Sequence, residues 1–148
     1  MRKLLLLFLL FIYGCGYQPL YTNKALNELK FKEIEIQGDK DINRSLISST
    51  FIEQDTENFL YEKIILKNSR TITETSKDSK GIPESFRMTI KLELKIINNG
   101  NIIKERVFSE EFLYKNLDNK FDLYEYETNV QNDLIKKITE ELIVYLNI

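Results

Sequence analysis

Cys15 is the residue of this sequence whose type and position together indicate a specific chemistry. The 148 residues include one cysteine and no histidine, so an internal disulfide is excluded and the commonest acid–base group and metal ligand is missing. Cys15 follows an unbroken apolar run from Leu4 to Ile12, which is preceded by Arg2 and Lys3. A thiol at this position is the group that lipoprotein processing alkylates. We therefore predict covalent lipid on Cys15.

The segment before Cys15 has the layout of an export signal: a basic start, a short apolar run and then small residues. Its nine apolar residues are too few to span a bilayer, which takes roughly 20 in a helix. Ile12 and Gly14 suit cleavage between Gly14 and Cys15 by the lipoprotein signal peptidase. We assign residues 1–14 to a signal peptide, 15–30 to a lipidated tether and 31–148 to a single domain. The alternative is an ordinary secretory signal with an incidental cysteine.

Two further features narrow the class of protein. The formal net charge is −2, whereas a protein that coats nucleic acid is normally basic. Gly16 stands directly after the cysteine, where the common signal for retention in the inner membrane is aspartate. We therefore expect an outer-membrane protein that is lipid-anchored on the periplasmic side and binds no nucleic acid.

The clearest structural pattern runs from Phe86 to Ile96, where six apolar residues alternate with polar ones. This period of two predicts a strand with one face on a core. Asn99-Gly100 is a strong signal for a two-residue hairpin loop, which places Lys95 opposite Lys104 and Leu92 opposite Val107. That register also puts a glutamate on the apolar face, which a bulge near residues 104–106 would relieve.

The remaining elements follow from weaker patterns. Apolar spacing predicts helices over residues 41–54 and 122–146, the second starting at a capping box of Asp122 and Glu125. Residues 31–37 and 59–75 are rich in strand-forming types, and residues 76–83 form a polar loop. The predicted order is β-α-β-β-β-α. We therefore expect an α+β fold, a two-layer sandwich of a mostly antiparallel four-stranded sheet with two helices packed on one face.

The segment from Gly14 to Tyr21, Gly-Cys-Gly-Tyr-Gln-Pro-Leu-Tyr, resembles the start of the LPS-assembly lipoprotein family LptE. The mature end of that family reads Cys-Gly-aromatic-x-Pro-Leu-Tyr. The order of elements and the alternating strand after Arg87 are also similar. One departure is Tyr124-Glu125-Tyr126-Glu127, which replaces an expected alanine-rich start of the last helix.

The resemblance implies a partner rather than a reaction. Members of the family sit as a plug inside the LptD β-barrel, support its assembly and help to deliver lipopolysaccharide to the outer leaflet. The alternative is a generic envelope lipoprotein that acts as a scaffold or binding module. The residues themselves indicate no catalytic pair, because adjacent carboxylates such as Glu110-Glu111 point in different directions. We expect no enzymatic activity, no metal and no cofactor other than the lipid on Cys15.

Four cations form the candidate ligand site. In the predicted register Lys91 and Lys95 share a face with Lys104 and Arg106. Two lysines placed directly opposite each other are destabilising, which a site for the phosphates of lipid A would explain. The alternative is a solvated face eased by salt screening. Aromatic residues before the last helix, among them Tyr114, Tyr124 and Tyr126, either contact the barrel or complete the core edge.

Overall fold

The computed structural model describes residues 29–50 and 52–146 of the chain. Within them, five strands and two helices follow in the order β1, α1, β2, β3, β4, β5, α2. Their bounds are β1 Leu29–Gln37, α1 Lys40–Ser49, β2 Ile52–Gln54, β3 Tyr61–Lys77, β4 Pro83–Asn98, β5 Asn101–Lys115 and α2 Lys120–Leu146. The fold class is α+β, as predicted from the sequence.

The sheet is five-stranded and mixed, with the order β2-β1-β3-β4-β5. Strand β1 is parallel to both β2 and β3, whereas β3, β4 and β5 are antiparallel neighbours. The predicted four-stranded antiparallel sheet is therefore wrong in its first half. The helix predicted over residues 41–54 ends at Ser49, because Thr50 turns to an extended conformation and Ile52 pairs with Leu29 as the start of β2. β-Branched Thr50 and Ile52 suit such a strand better than a helix.

The alternating strand β4 is the centre of the core. Its apolar residues from Met88 to Ile96 are each at most 1 % exposed. Helix α2 covers this face of β4 and β5 with one buried stripe, as its sequence predicts. The stripe consists of Val130, Leu134, Ile135, Ile138, Thr139, Leu142 and Leu146. Helix α1 contributes Ile42 and Leu46 to the same cluster, so both helices lie on one face. No helix of residues 29–50 and 52–146 covers the other face, which we call the open face.

A close backbone contact fixes α1 against β3. Gly38 has a φ of +106°, and a Cβ atom there would lie 2.1 Å from the carbonyl oxygen of Asn68. The buried Asn68 side chain accepts a hydrogen bond from the N–H of Asp39 at 2.9 Å and donates to the carbonyl of Asp39 and to Asn43. Asp39 in turn caps α1 by accepting from the N–H groups of Asp41 and Ile42. A side chain on residue 38 would disrupt this junction.

Some predicted boundaries shift. Strand β1 starts at Leu29, so the last two residues of the predicted tether belong to the sheet, and residues 15–28 lie outside the described residues. Helix α2 starts at Lys120, two residues before the predicted capping box. Asn119 supplies the start instead, because its side-chain oxygen accepts from the N–H of Phe121 at 3.0 Å. Asparagine at a helix start satisfies a backbone donor that the helix itself leaves unpaired.

Candidate functional site

The predicted lipidation site, Cys15, and the cleavage site between Gly14 and Cys15 lie outside the described residues. The structure does describe where the chain enters the domain. Strand β1 starts beside the start of β3, since Phe31 pairs with Tyr61 in a parallel register. The end of β4 lies at the same place, because Lys63 pairs with Ile97. The chain therefore enters next to the β4–β5 turn, and we call this part of the domain the hairpin end.

The β4–β5 hairpin has the predicted turn but a different register. Asn98 pairs with Asn101 and Ile97 with Ile102, and then Ile96 pairs with Lys104, so that Ile103 is an extra residue in β5. A one-residue bulge moves every following side chain to the other face. Leu92 consequently pairs with the buried Phe108 rather than with Val107, which is 58 % exposed. The predicted bulge exists, but it lies ahead of residues 104–106.

The bulge separates the four predicted ligand-site cations into two pairs. Lys91 and Lys95 lie on the open face of the sheet, where Lys95 is opposite Glu105 and not Lys104. Lys104 and Arg106 lie on the helix-covered face, because their partners in β4 are the buried Ile96 and Leu94. The predicted contact between two lysines is therefore wrong. The four cations do not form one patch.

Lys104 and Arg106 meet the last turn of α2 at an aromatic corner, which we call the Tyr145 corner and define as Lys104, Arg106, Phe108 and Tyr145. The Lys104 ammonium is 5.5 Å from the ring centroid of Tyr145, and the Arg106 guanidinium is 5.1 Å from the rings of both Tyr145 and Phe108. Tyr145 also donates a hydrogen bond to the carbonyl of Glu105 at 3.3 Å.

The contacts at the Tyr145 corner stabilise the end of α2 and leave N–H donors able to bind an anion. Cations near a helix C-terminus interact favourably with its dipole, and cation–π contacts at exposed sites contribute about 0.5–1 kcal/mol each. The corner therefore fixes the end of α2 to β5. A guanidinium that stacks on rings keeps its N–H groups at its edge, so the corner can also donate hydrogen bonds to an anion such as a phosphate.

The open face of the sheet carries paired charges of opposite sign. Lys63 bridges Glu33 at 2.8 Å and Glu35 at 2.6 Å, and Lys95 contacts Glu105 at 2.9 Å. The hydrogen bonds to their carboxylate partners raise the pKa of both lysines. Looser pairs of the same kind are Lys67–Glu93 and Arg87–Glu111, each at 3.8 Å. An anion at Lys95 would have to compete with a carboxylate already in place.

A second aromatic group lies at the opposite end of the sheet. The ring of Tyr114 is 5.8 Å from that of Phe86 and 6.0 Å from that of Tyr126. Its hydroxyl donates to Glu127 at 2.6 Å, and burial, followed by this carboxylate, raises the pKa of the phenol. Tyr114 thus completes the core, whereas Tyr124 is 70 % exposed. Completion of the core edge therefore applies to Tyr114, whereas contact of the exposed Tyr124 with a barrel stays a prediction.

Sequence reasoning missed Tyr145 and Glu105, the residues that determine what the cations contact. The available signal was the break in alternation at Ile102-Ile103-Lys104, where two apolar residues are adjacent at the start of a strand. Among residues 29–50 and 52–146, no cluster of acidic side chains has the grouping that a metal ion needs. Nor does any helix in those ranges have the length and apolar character needed to cross a bilayer.

The architecture is that of bacterial lipoproteins of known structure. The domain superposes on the minor lipoprotein of Acinetobacter baumannii with a TM-score of 0.55 and 15% sequence identity, covering 80% of this chain and 90% of that chain. It superposes on the uncharacterized lipoprotein B of Nitrosomonas europaea with a TM-score of 0.54 and 11% identity, covering 84% and 90%. At these identities the likeness concerns the fold. No family model matches the sequence, and no curated protein matches it.

Proposed function

We propose that this protein is an outer-membrane lipoprotein of the LptE type, anchored through lipid on Cys15. In this role it plugs the LptD β-barrel, supports assembly of the barrel and assists delivery of lipopolysaccharide to the outer leaflet. The observation that carries the proposal is the segment Gly14 to Tyr21, in which the only cysteine of the chain follows the apolar run and heads a sequence resembling that family. The fold shared with bacterial lipoproteins supports it.

The open face of the sheet supports the plug role on physical grounds. The interior of a large outer-membrane barrel is polar. A plug therefore needs a polar surface whose positive and negative charges are balanced, since a surface of one sign could be repelled by the barrel wall. The ion pairs of Lys63 and Lys95 with glutamates on neighbouring strands give such a balanced surface. With no histidine in the sequence, we propose a binding and assembly role rather than catalysis.

Lipid attachment is tested by metabolic labelling with palmitate. The wild-type protein should be labelled and should sediment with membranes, whereas Cys15→Ser should be unlabelled. An unlabelled wild-type product would remove the basis of the proposal. The mass of the mature protein from the same samples shows whether the signal is cleaved between Gly14 and Cys15.

The partner is tested by affinity purification of the tagged protein from detergent-solubilised outer membrane. We expect a stable complex with a large β-barrel and loss of surface lipopolysaccharide when the protein is depleted. A labelled lipoprotein that purifies without a barrel would instead indicate the generic scaffold or binding module. That outcome would contradict the plug role while leaving the anchor intact.

For lipopolysaccharide contact we propose Lys104 and Arg106 as the principal cations, because they lie together at the Tyr145 corner without a carboxylate partner among residues 29–50 and 52–146. Lys104→Gln with Arg106→Gln should weaken lipopolysaccharide binding. The matched pair Lys91→Gln with Lys95→Gln removes the same charge from the open face and should change binding less. Equal loss in both pairs would indicate a general charge effect and contradict a site at the corner.

A further inference from the structure

Exposed apolar side chains from two separate segments lie at the hairpin end. Leu60, at the entry to β3, is 58 % exposed, and Ile102 and Ile103, at the start of β5, are 54 % and 46 % exposed. Backbone contacts hold these segments in place: the N–H of Leu60 donates to the carbonyl of Lys30 at 2.8 Å. The N–H of Gly100 donates to the Glu62 carboxylate at 3.1 Å. The apolar groups thus project from a fixed part of the fold.

Lysines accompany this apolar surface. The ammonium of Lys32 is 5.7 Å from the ring centroid of Phe59, which is itself 38 % exposed. The ammonium of Lys104, next to Ile103, is 5.5 Å from the ring of Tyr145. Apolar side chains flanked by lysines and aromatic rings are the combination that binds the boundary between lipid headgroups and acyl chains.

The path of the chain determines which end can reach a membrane. Thirteen residues lie between Cys15 and Leu29, where β1 starts, and the 14 Cα–Cα steps from Cys15 to Leu29 span at most about 50 Å when fully extended. Strand β4 has 16 residues, so the opposite end of the sheet is also roughly 50 Å away from the hairpin end. Contact through that opposite end would take the whole reach of the tether. The hairpin end reaches the bilayer with length to spare.

We propose that the hairpin end is a second membrane contact, which rests on the bilayer beside the lipid of Cys15 when the protein is free of a barrel. Leu60, Ile102 and Ile103 insert to the depth of about 5–10 Å at which interfacial apolar groups lie. This inference rests on the proposed lipid anchor and adds an orientation to it. The sheet then stands away from the bilayer, with the loop between β3 and β4 as its most distant part.

The sequence allows a clean fluorescence test, because it contains no tryptophan. Ile102→Trp and Leu60→Trp each place one indole at the hairpin end, on different elements. Ile82→Trp is the matched control: Ile82 has the same 54 % exposure as Ile102 but lies in the loop between β3 and β4. Each full-length lipidated variant is reconstituted in vesicles of phosphatidylethanolamine and phosphatidylglycerol that contain a phospholipid with a doxyl quencher near the headgroup.

We expect Ile102→Trp and Leu60→Trp to lose most of their emission to the lipid quencher and to shift to the blue, with little change in Ile82→Trp. Vesicle flotation on the same samples reports the anchor separately, and far-UV circular dichroism verifies the fold of each variant. If all three proteins float and none is quenched, the second contact is refuted while the anchor stands. Equal quenching at both ends refutes the proposed orientation. A correctly folded protein that does not float overturns both proposals.

Discussion

Replacing Gly38 by alanine has a large cost that follows directly from the structure. The φ of +106° is unfavourable for a residue with a Cβ atom, and strain of this kind costs about 1–2 kcal/mol. The new Cβ would also lie 2.1 Å from the carbonyl oxygen of Asn68, so the β1–α1 connection must move away from β3. That movement breaks the hydrogen bonds between Asn68 and Asp39, and each buried polar group left unpaired costs about 1–3 kcal/mol.

The expected loss for Gly38→Ala is therefore about 3–6 kcal/mol, a large fraction of the roughly 5–15 kcal/mol of a typical domain. Urea unfolding followed by far-UV circular dichroism measures it, and a loss of about 4 kcal/mol corresponds to a shift of the midpoint by roughly 2 M.

Gly81→Ala is the control that separates backbone strain from the close approach of the new Cβ atom to β3. Gly81 also has a positive φ, of +82°, but a Cβ atom there would meet nothing within 4 Å. It should lose only the strain, about 1–2 kcal/mol. Equal losses at the two positions would refute the argument from close approach. A further check uses Asn68→Ala, which should not rescue Gly38→Ala because the nearest atom belongs to the backbone.

Three other outcomes follow from the contacts. Lys95→Glu should lower the urea midpoint by placing two carboxylates opposite each other, and adding Glu105→Lys should restore it, because the pair lies at 2.9 Å. Tyr145→Ala should lower the free energy of unfolding by about 2–3 kcal/mol, since it removes the ring that two cations contact. Tyr145→Phe should lower it by less than about 1 kcal/mol, because it removes only one exposed hydrogen bond. Urea unfolding measures both losses. The pKa of Tyr114 is raised above 10.0 in the folded state. The stability that this phenol contributes is therefore complete below that pH and is lost as the pH rises above it. Tyr114→Phe should reduce this loss of stability at alkaline pH.

Local patterns predicted those elements whose own side chains define a face. The alternation from Phe86 to Ile96 and the stripe of α2 each give a strong period, and both elements are present with a few residues added at their ends. The turn at Asn99-Gly100 was predictable for the same reason, since Asn99 adopts a positive φ of 51° and Gly100 one of 72°. In each case the information lies within a short segment.

Features that depend on distant partners were not predictable from such patterns. Strand β2 has three residues, and its identity as a strand comes from pairing with Leu29, 23 residues earlier in the sequence. The position of the bulge at Ile103 is set by the need to bury Phe108 beside Leu92, a choice that involves packing under α2. Because the bulge determines which face Lys104 occupies, the candidate ligand site was beyond prediction even though its residue types were recognised.

The dependence of β4 on α2 has a consequence for how the polypeptide matures. Synthesis and export both proceed from the N-terminus, so β3, β4 and β5 precede the 27 residues of α2. Until those residues arrive, nothing from α2 shields the row from Met88 to Ile96. A nascent or truncated product that stops near Lys115 would expose an apolar, strand-forming surface, and such surfaces commonly lead to aggregation. A premature stop codon between Lys115 and the buried stripe of α2 should therefore be as damaging as an earlier one.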